Sequence, residues 1–299
     1  MRERPTTVTE TSFGPLEYRF EERGRSVVLI LHGGHMRASL PLGEELFAAA
    51  GCSVLAPSRP GYGRTPSGTG PSPSRFADAV TELCAGLGIE RLTAVVGQSA
   101  GGPTAMTLAS RHPVLVERLV LESAVGFLPW PDRRARLGGR LVFAPLVERA
   151  SWSLVHGLVR RVPQAALHLL LRDLTTGPIA DLVSGLSAEH RALLLDLFAR
   201  MRSGSGFTAD LRYMARGGKA PLVTQPTLII AAPGDGAVPF AQAEALAAAI
   251  PGARLLTSTA PSHFIWFGDD YPAITTVITD FLTQARRGRV PGPAGEKGT

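Results

Sequence analysis

Residues 97–101 carry a Gly-x-Ser-x-Gly pattern that could present a nucleophile. Ser99 stands between two glycines, after the apolar run 92–96 and before the helix-forming run 103–111. The apolar run is typical of a buried strand, so the order is strand, sharp turn, helix. Small neighbours allow strand and helix to approach closely around a strained serine. We predict a nucleophile elbow. The alternative is a glycine-rich turn whose serine has no chemical role.

A serine hydroxyl also needs a base, and a histidine serves as that base only when an acceptor holds its other ring nitrogen. His263, in the sequence APSHF, follows the last predicted strand, and Asp235, in PGDG, follows the strand before it. We therefore predict Ser99 as nucleophile, Asp235 as acid and His263 as base, all on loops at one edge of a sheet. A turn aspartate that caps the next helix is the structural alternative for Asp235, and Glu122 is the reserve carboxylate.

Acyl transfer needs preorganised donors for the charge of the transition state, and loss of one typically costs about 3–4 kcal/mol. The amide of Ala100 is one candidate, and the amide of Gly34, in the HGGH sequence after a buried strand, is the other. His35 and Gln98 are predicted substrate contacts, with a solvated position as the alternative for His35, whereas His32 is expected to brace the turn. The other histidines fall in or beside predicted helices and are interpreted as surface or packing residues: His112, His156, His168 and His190.

Strands and helices alternate through residues 1–126 and again through 223–287. This predicts an α/β fold with a doubly wound, mostly parallel sheet whose ligand crevice lies at the carboxyl ends of the strands. Residues 127–222 contain helical runs without a convincing strand and are predicted to form an inserted helical cap. Residues 288–299 are polar and rich in Gly and Pro, so we expect a disordered tail.

The element boundaries follow from apolar periodicity and turn residues, with a hairpin turn expected at Gly14-Pro15. The predicted strands are 8–13, 16–21, 27–31, 52–56, 92–96, 119–123, 227–232 and 254–257. The predicted helices are 40–50, 74–86, 100–111, 141–161, 164–173, 188–202, 239–249 and 272–286.

The charge pattern does not favour a nucleic-acid or membrane partner. The chain of 299 residues has a formal net charge of +6 and a sequence pI near 10.0, but its basic residues are nearly all arginine and are scattered. The densest groups, at 132–136 and 160–161, fall on predicted helices without interleaved aromatic residues, so a solvated face is the better interpretation. A small-molecule substrate is the expected partner, and nothing indicates an oligomeric state.

No segment has the sequence features of a targeting signal or a membrane anchor. Residues 1–7 are not followed by the apolar region of a signal peptide, and no apolar stretch is long enough to span a bilayer, so we expect a cytoplasmic location. Cys52 and Cys84 lack the spacing of metal ligands or of a disulfide framework and are expected to be buried. No cofactor and no metal are predicted.

Together these motifs resemble the α/β-hydrolase superfamily, in its capped, esterase-like branch. The matching residues are HGG at 32–34, RPGYGR at 59–64, GQSAGG at 97–102, Gly234-Asp235 and His263. The resemblance implies a Ser99, Asp235 and His263 triad, with Gly34 and Ala100 as the oxyanion hole. Arg59 and Tyr62 are predicted to line a strand end near this site, with a structural turn as the alternative.

Three positions depart from the family pattern or narrow it. Serine at position 99, rather than aspartate, argues against haloalkane dehalogenase or epoxide hydrolase chemistry, which uses a carboxylate nucleophile. Ser58 stands where relatives commonly have Asp before Arg-Pro-Gly, and Gln98 stands where lipase-like members frequently have His. The elbow itself is intact in either case.

The leading hypothesis is hydrolysis of a carboxylic ester, thioester or lactone of an apolar small molecule through an acyl-Ser99 intermediate. The Leu-rich runs 167–171 and 193–197 would supply apolar surface under the cap. The same triad could instead serve C–C bond hydrolysis, aminopeptidase action, or acyl transfer and cyclisation of a secondary metabolite, because the fold does not choose between them. By resemblance, cofactor-free perhydrolysis is a conceivable side reaction. A noncatalytic small-molecule binding protein is the alternative from another class.

Overall fold

The fold is organised around one eight-stranded sheet. The computed structural model describes residues 2–131, 143–144, 147–220 and 222–283. The strand order is β1-β2-β4-β3-β5-β6-β7-β8, antiparallel where β1 meets β2 and β2 meets β4, and parallel elsewhere. The strands are β1 Thr7–Thr11, β2 Gly14–Glu21, β3 Val27–Leu31, β4 Ser53–Pro57, β5 Ala94–Gln98, β6 Leu119–Glu122, β7 Thr227–Ala231 and β8 Arg254–Thr257. The predicted doubly wound, mostly parallel α/β sheet is confirmed.

The central strands are apolar along their whole length because helices cover both faces of the sheet. Every residue of β3, β5 and β7 is buried. Successive side chains of β3 alternate between the faces: Val28 and Ile30 join one apolar cluster, and Leu29 and Leu31 join the other. This two-sided burial explains why the strands appear in the sequence as continuous apolar runs.

The helices that flank and cover the sheet are mostly short. They are α1 Glu45–Ala49, α2 Pro73–Gly86, α3 Gly102–Arg111, α4 Glu148–Arg161, α5 Pro163–Leu171, α6 Ile179–Gly185, α7 Ala188–Phe198, α8 Gly206–Met214, α9 Ala241–Ala249 and α10 Tyr271–Thr283. In the described chain, α4 to α8 all come between β6 and β7. None of the helices in the described ranges is long and apolar enough to cross a membrane.

The predicted hairpin turn at Gly14-Pro15 was wrong. The turn is formed by Ser12 and Phe13, and β2 begins at Gly14, which pairs with Thr11. Gly14 has φ +114°, a conformation that side chains other than glycine rarely adopt. The glycine therefore marks the first residue of the strand and not the centre of the turn.

The predicted helix 40–50 is much shorter in the structure. Only Glu45–Ala49 is helical, because Pro41 and Gly43 interrupt the run before it and Gly43 has φ +69°. A Cβ at Gly43 would lie 2.3 Å from Nε1 of Trp266. Leu42, the apolar residue before Gly43, is buried in irregular backbone.

The segment 127–222, which we call the cap segment, differs from its prediction in detail. Two helices there, α6 and α8, were not predicted because both are short and glycine lies at one end of each. The run 188–202 ends as a helix at Phe198, and the run 141–161 contains α4 from Glu148. The division into cap and core domains remains a prediction, and the basic group 132–136 and the tail 288–299 lie outside the described residues.

The close packing of β5, α3 and the neighbouring strand β3 around Ser99 depends on glycines. A Cβ at Gly101 would lie 2.0 Å from the carbonyl oxygen of Leu31, and a Cβ at Gly97 would lie 2.6 Å from the Cβ of Ala105. Backbone at that distance cannot move aside without disturbing β3.

Both cysteines, Cys52 and Cys84, are free and buried, as expected.

We expect Gly101→Ala to destabilise the protein by about 1–3 kcal/mol, because the added methyl group overpacks fixed backbone. Gly86→Ala is the matched control: Gly86 is also a glycine at a helix end, but a Cβ there meets nothing within 4 Å. The control should be neutral or slightly stabilising. Urea denaturation of both variants measures the difference, and equal free energies of unfolding would contradict the packing argument.

Candidate active site

Ser99 lies at the carboxyl end of β5, on the sharp turn that leads into α3. Its φ is +49°, which is rare for a residue with a side chain and indicates a backbone held in place by its surroundings. Gly33 faces it from the neighbouring loop, where an added Cβ would lie 3.0 Å from the Cβ of Ser99. The sharp turn from strand to helix is therefore present at Ser99, and Ser99 lines a cavity.

His263 and Asp235 form a buried pair beside this cavity. Nδ1 of His263 lies 2.7 Å from Oδ2 of Asp235. The other carboxylate oxygen of Asp235 accepts hydrogen bonds of 2.8 Å from the amides of Ala237 and Val238. The carboxylate is thus fixed in one orientation, and it in turn fixes the imidazole. These bonds do not make Asp235 the cap of the next helix, which was the alternative role, because they lie in the loop at 237–238 and α9 begins at Ala241.

A short stretch of the cap segment ties the loops of Asp235 and His263 together. The carbonyl oxygen of Leu174 accepts hydrogen bonds from the amide of His263 (2.8 Å) and the amide of Gly236 (3.2 Å). The hydroxyl of Thr175 donates to the carbonyl oxygen of Pro261 at 2.6 Å. Thr175 also forms an isolated antiparallel bridge with Asp235. The acid and base loops therefore share one backbone support.

Gly34 and Ala100, whose amides are the predicted oxyanion donors, both line the cavity that contains Ser99. In a trans peptide the C=O of one residue and the N–H of the next point in opposite directions. The carbonyl of Gly33 accepts from Nη2 of Arg59 at 3.2 Å, and the carbonyl of Ser99 accepts from the amide of Val125 at 2.9 Å. Each hydrogen bond orients the amide on the other side of its peptide plane.

Arg59 connects this loop to the cap segment. Besides Gly33 it donates to the carbonyl oxygen of His32 at 2.8 Å, and it forms a two-pronged ion pair with Asp210 at 2.8 and 2.9 Å. The hydroxyl of Tyr62 donates to the same carboxylate at 2.6 Å. Arg59 is 5% exposed and Tyr62 is 1% exposed. Arg59 and Tyr62 are therefore structural residues, and both bind Asp210 in helix α8.

The catalytic cavity, as we call the cavity around Ser99, has a volume of about 250 Å³ and an apolar wall. Among the described residues that line it, the ionisable side chains are His35 and His263. The remaining wall is mainly aromatic and aliphatic, and includes Phe143, Trp152, Phe198, Phe207, Phe264 and Trp266. Such a wall favours a neutral, apolar ligand.

His35 is part of the aromatic wall. Its ring lies 4.0 Å from that of Phe207 and 4.7 Å from that of Phe143, centre to centre. Its Nδ1 lies 2.7 Å from the hydroxyl of Ser203, which also accepts a hydrogen bond from Trp152. Burial, reinforced by the charge of Arg59, lowers the pKa of His35 to about 3, so the ring is neutral at ordinary pH.

Gln98 lines the cavity and is held by a buried carboxylate. Its side-chain amide donates to the carbonyl oxygen of Leu42 at 2.9 Å and to Oε2 of Glu122 at 3.0 Å. Trp266 donates to the same Oε2 at 3.3 Å. Burial raises the pKa of Glu122 to about 7. Glu122 thus supports two wall residues, while the carboxylate that meets His263 is Asp235.

His32, predicted to brace the turn, is buried with Nε2 3.3 Å from Oε1 of Glu44. Burial lowers its pKa. The four histidines interpreted as surface or packing residues do not line the catalytic cavity. Within the described chain, no group of three His, Cys, Asp or Glu side chains could hold a metal ion.

The sequence did not indicate three parts of this site: Asp210, the support at residues 174–176, and the aromatic wall. The only available signal for Asp210 was Arg59 itself, because a buried arginine needs a carboxylate partner. Nothing identifies that partner across the 151 residues that separate the two. The Leu-rich runs were a poor guide, since only Leu170 from either run lines the cavity.

We expect Asp210→Asn to cost about 3–5 kcal/mol in the free energy of unfolding, because it leaves the buried guanidinium of Arg59 without its counter-charge. Asp196→Asn is the matched control, since Asp196 pairs with Arg200 at the partly exposed end of helix α7. That change should cost less than about 1 kcal/mol. Denaturant titration measures both, and a small effect at position 210 would show that Arg59 does not depend on this pair.

We expect Glu122 to contribute stability that is lost as pH rises from about 5 to about 8, and Glu122→Gln to remove that contribution. The buried histidines His32 and His35, whose pKa values are lowered, contribute in the opposite direction, so the difference between wild type and Glu122→Gln is the quantity to compare. The unfolded carboxyl, near its ordinary value of 4.5, loses its proton before the folded one does at about 7, so the folded state holds more protons in this window. The total contribution is about 3 kcal/mol at most. Glutamine is neutral throughout and can still accept from Gln98 and Trp266.

The measurement is the free energy of unfolding by urea at several pH values for both proteins. Glu244→Gln, at an exposed position, is the control and should keep the wild-type slope. Parallel curves for wild type and Glu122→Gln would show that Glu122 does not titrate in this range.

Comparisons with known proteins agree with this fold. A family model described as alpha/beta hydrolase fold matches residues 26–141, and one described as TAP-like protein matches 213–293. An uncharacterized hydrolase of Bacillus subtilis is 31% identical over 286 residues, covering 94% of this chain and 99% of that protein.

A pimeloyl-[acyl-carrier protein] methyl ester esterase of Aromatoleum aromaticum is 29% identical over 237 residues, covering 77% of this chain and 88% of that protein. The solved structure of an alpha/beta hydrolase fold protein from Nakamurella multipartita superposes with a TM-score of 0.77 at 23% identity, covering 93% of this chain and 99% of that one. The chain belongs to the α/β-hydrolase superfamily and is a hydrolase of that fold.

Proposed function

We propose that this protein hydrolyses a carboxylic ester, thioester or lactone of an apolar small molecule through an acyl-Ser99 intermediate. One observation carries the proposal: Ser99, His263 and the amide-bearing residues Gly34 and Ala100 line the same apolar cavity. Nucleophile, base and charge-stabilising donors are thereby available to one bound carbonyl group.

Each residue has a defined role in the proposed reaction. His263 takes the proton of the Ser99 hydroxyl as its oxygen attacks the carbonyl carbon, and Asp235 holds the imidazole and stabilises its positive charge. The amides of Gly34 and Ala100 donate to the oxyanion of the tetrahedral intermediate. The intermediate collapses to the acyl-Ser99 enzyme, and the leaving group takes the proton from His263. His263 then takes a proton from a water molecule as that water attacks the acyl carbon. The second intermediate collapses, the acid is released, and the Ser99 oxygen regains its proton from His263.

The character of the cavity wall supports a neutral substrate. The described residues that line it include no Lys, Arg, Asp or Glu. An aminopeptidase would need a carboxylate to receive the substrate ammonium group, and a substrate with free carboxylates would need a cation. Burial of a substrate ammonium or carboxylate group without a partner of opposite charge is costly, so both kinds of substrate are disfavoured relative to an uncharged ester.

The test follows p-nitrophenol release from a panel of p-nitrophenyl esters with acyl chains of different length. Wild-type protein should give a burst of about one equivalent when deacylation is the slower step. Ser99→Ala and His263→Ala should each lower kcat by at least about 10³-fold and abolish the burst. Asp235→Asn should cause a comparable loss by releasing the imidazole from its fixed orientation.

Two matched variants control for substitution itself. Ser184→Ala and His168→Ala change the same residue types at exposed positions of the cap segment, outside the catalytic cavity. Both should retain wild-type rates. Folded protein that releases no product from any ester would overturn the proposal and favour a noncatalytic binding role. Loss of activity in the controls as well would point to a folding defect.

A further inference from the structure

A second cavity lies beside the catalytic cavity, and we call it the side cavity. Its volume is about 330 Å³, and it lies between the α5 to α7 region and the loop that carries His263. Its floor is apolar and includes Leu171, Leu182, Leu186, Leu194, Phe264 and Phe267. No motif in the sequence predicted it, and the proposed reaction so far makes no use of it.

The two cavities meet at one side chain. Phe264 is the only described residue that lines both. Phe264 is 7% exposed, and its ring packs against those of Phe198, Phe267 and His263 at centre-to-centre distances of 6.1, 5.9 and 6.0 Å. Phe264 directly follows His263 in the chain, so the partition between the cavities stands next to the proposed base.

The chemistry of ester cleavage determines which part of a substrate lies next to His263 and Phe264. The leaving oxygen must come within hydrogen-bond distance of the imidazole that protonates it. The alcohol part of the ester therefore lies against His263, whereas the carbonyl oxygen lies toward Gly34 and Ala100. Phe264 has its ring centre 6.0 Å from that of His263 and borders both cavities, so the side cavity lies next to the alcohol side of the site.

We propose that the side cavity holds the distal part of the substrate's alcohol or thiol group, as an apolar chain that passes the ring of Phe264. This inference rests on the proposed function. The volumes support it, because pockets for small ligands usually measure about 300–1,000 Å³. The catalytic cavity alone falls below that range, and the two cavities together fall within it.

The charges at the rim restrict the end of that chain. Asp181 and Asp269 line the side cavity and are exposed to solvent. The described residues that line it include no Lys or Arg. The end of the chain is accordingly neutral or cationic, since a carboxylate would meet two like charges and no partner.

The experiment compares acetate esters of straight-chain alcohols from methyl to octyl, with acid release followed in a pH-stat. For wild-type protein kcat/KM should rise with chain length, by up to about fourfold for each methylene that becomes buried. Gly185→Trp should lower the octyl-to-methyl ratio of kcat/KM at least about tenfold, because Gly185 lines the side cavity and an added Cβ there meets nothing within 4 Å, which leaves the indole room to occupy the cavity. Phe264→Ala should raise the ratio by opening the partition.

Gly86→Trp is the matched control. Gly86 also ends a helix and has open space around its Cβ, but it lines neither cavity, so the wild-type ratio should persist. A second series tests the rim. An ester whose alcohol ends in trimethylammonium should be cleaved faster than one of equal length that ends in carboxylate. The double change Asp181→Asn and Asp269→Asn should reduce that difference.

The outcomes separate this inference from the proposed function. Hydrolysis with an octyl-to-methyl ratio that Gly185→Trp leaves unchanged would overturn the side-cavity assignment and leave the esterase proposal standing. Hydrolysis with no dependence on alcohol length would do the same. Folded wild-type protein that cleaves none of the esters would overturn both.

Discussion

The buried guanidinium of Arg59 is the group on which most of the site depends. A guanidinium cannot lose its charge in a protein, so burial obliges the fold to supply acceptors. Here those acceptors are two carbonyl groups of the loop after β3 and the carboxylate of Asp210 in α8. One side chain thus joins the sheet, the loop with the candidate oxyanion amide and the cap segment, and none of the three can shift without leaving a buried charge unpaired.

The candidate oxyanion hole is for this reason a tertiary feature. Its two amides belong to peptides whose carbonyl groups are bound from behind, one by Arg59 and one by the amide of Val125 beyond β6. Neither amide direction is determined by the local sequence alone. Donors fixed before the substrate arrives require little reorganisation in the transition state, which is the main source of their effect.

How far the sequence could predict the molecule follows from the range of each interaction. The strands β3 and β8 were predicted with their observed bounds, because apolar runs and turn residues are local signals. Ser99, Asp235 and His263 were predicted from motifs at strand ends, and the structure places the last two in hydrogen-bond contact. The pairing of Arg59 with Asp210 was not predictable in this way. It joins residues far apart in the chain, and no pattern in α8 distinguishes Asp210 from an ordinary surface acid.

The same long-range contacts limit how the proposed enzyme can admit its substrate. The cap segment is bound at two places: Asp210 pairs with Arg59, and the backbone of residues 174–176 bonds to the loops of Asp235 and His263. A movement of the cap segment that broke the contact between Asp210 and Arg59 would release the amide of Gly34. A movement that broke the backbone bonds of residues 174–176 would release His263 from its support. Substrate entry compatible with a preorganised site must therefore leave both contacts in place. A small rotation of one side chain, such as Phe264 between the two cavities, meets this condition, whereas removal of the whole cap segment does not.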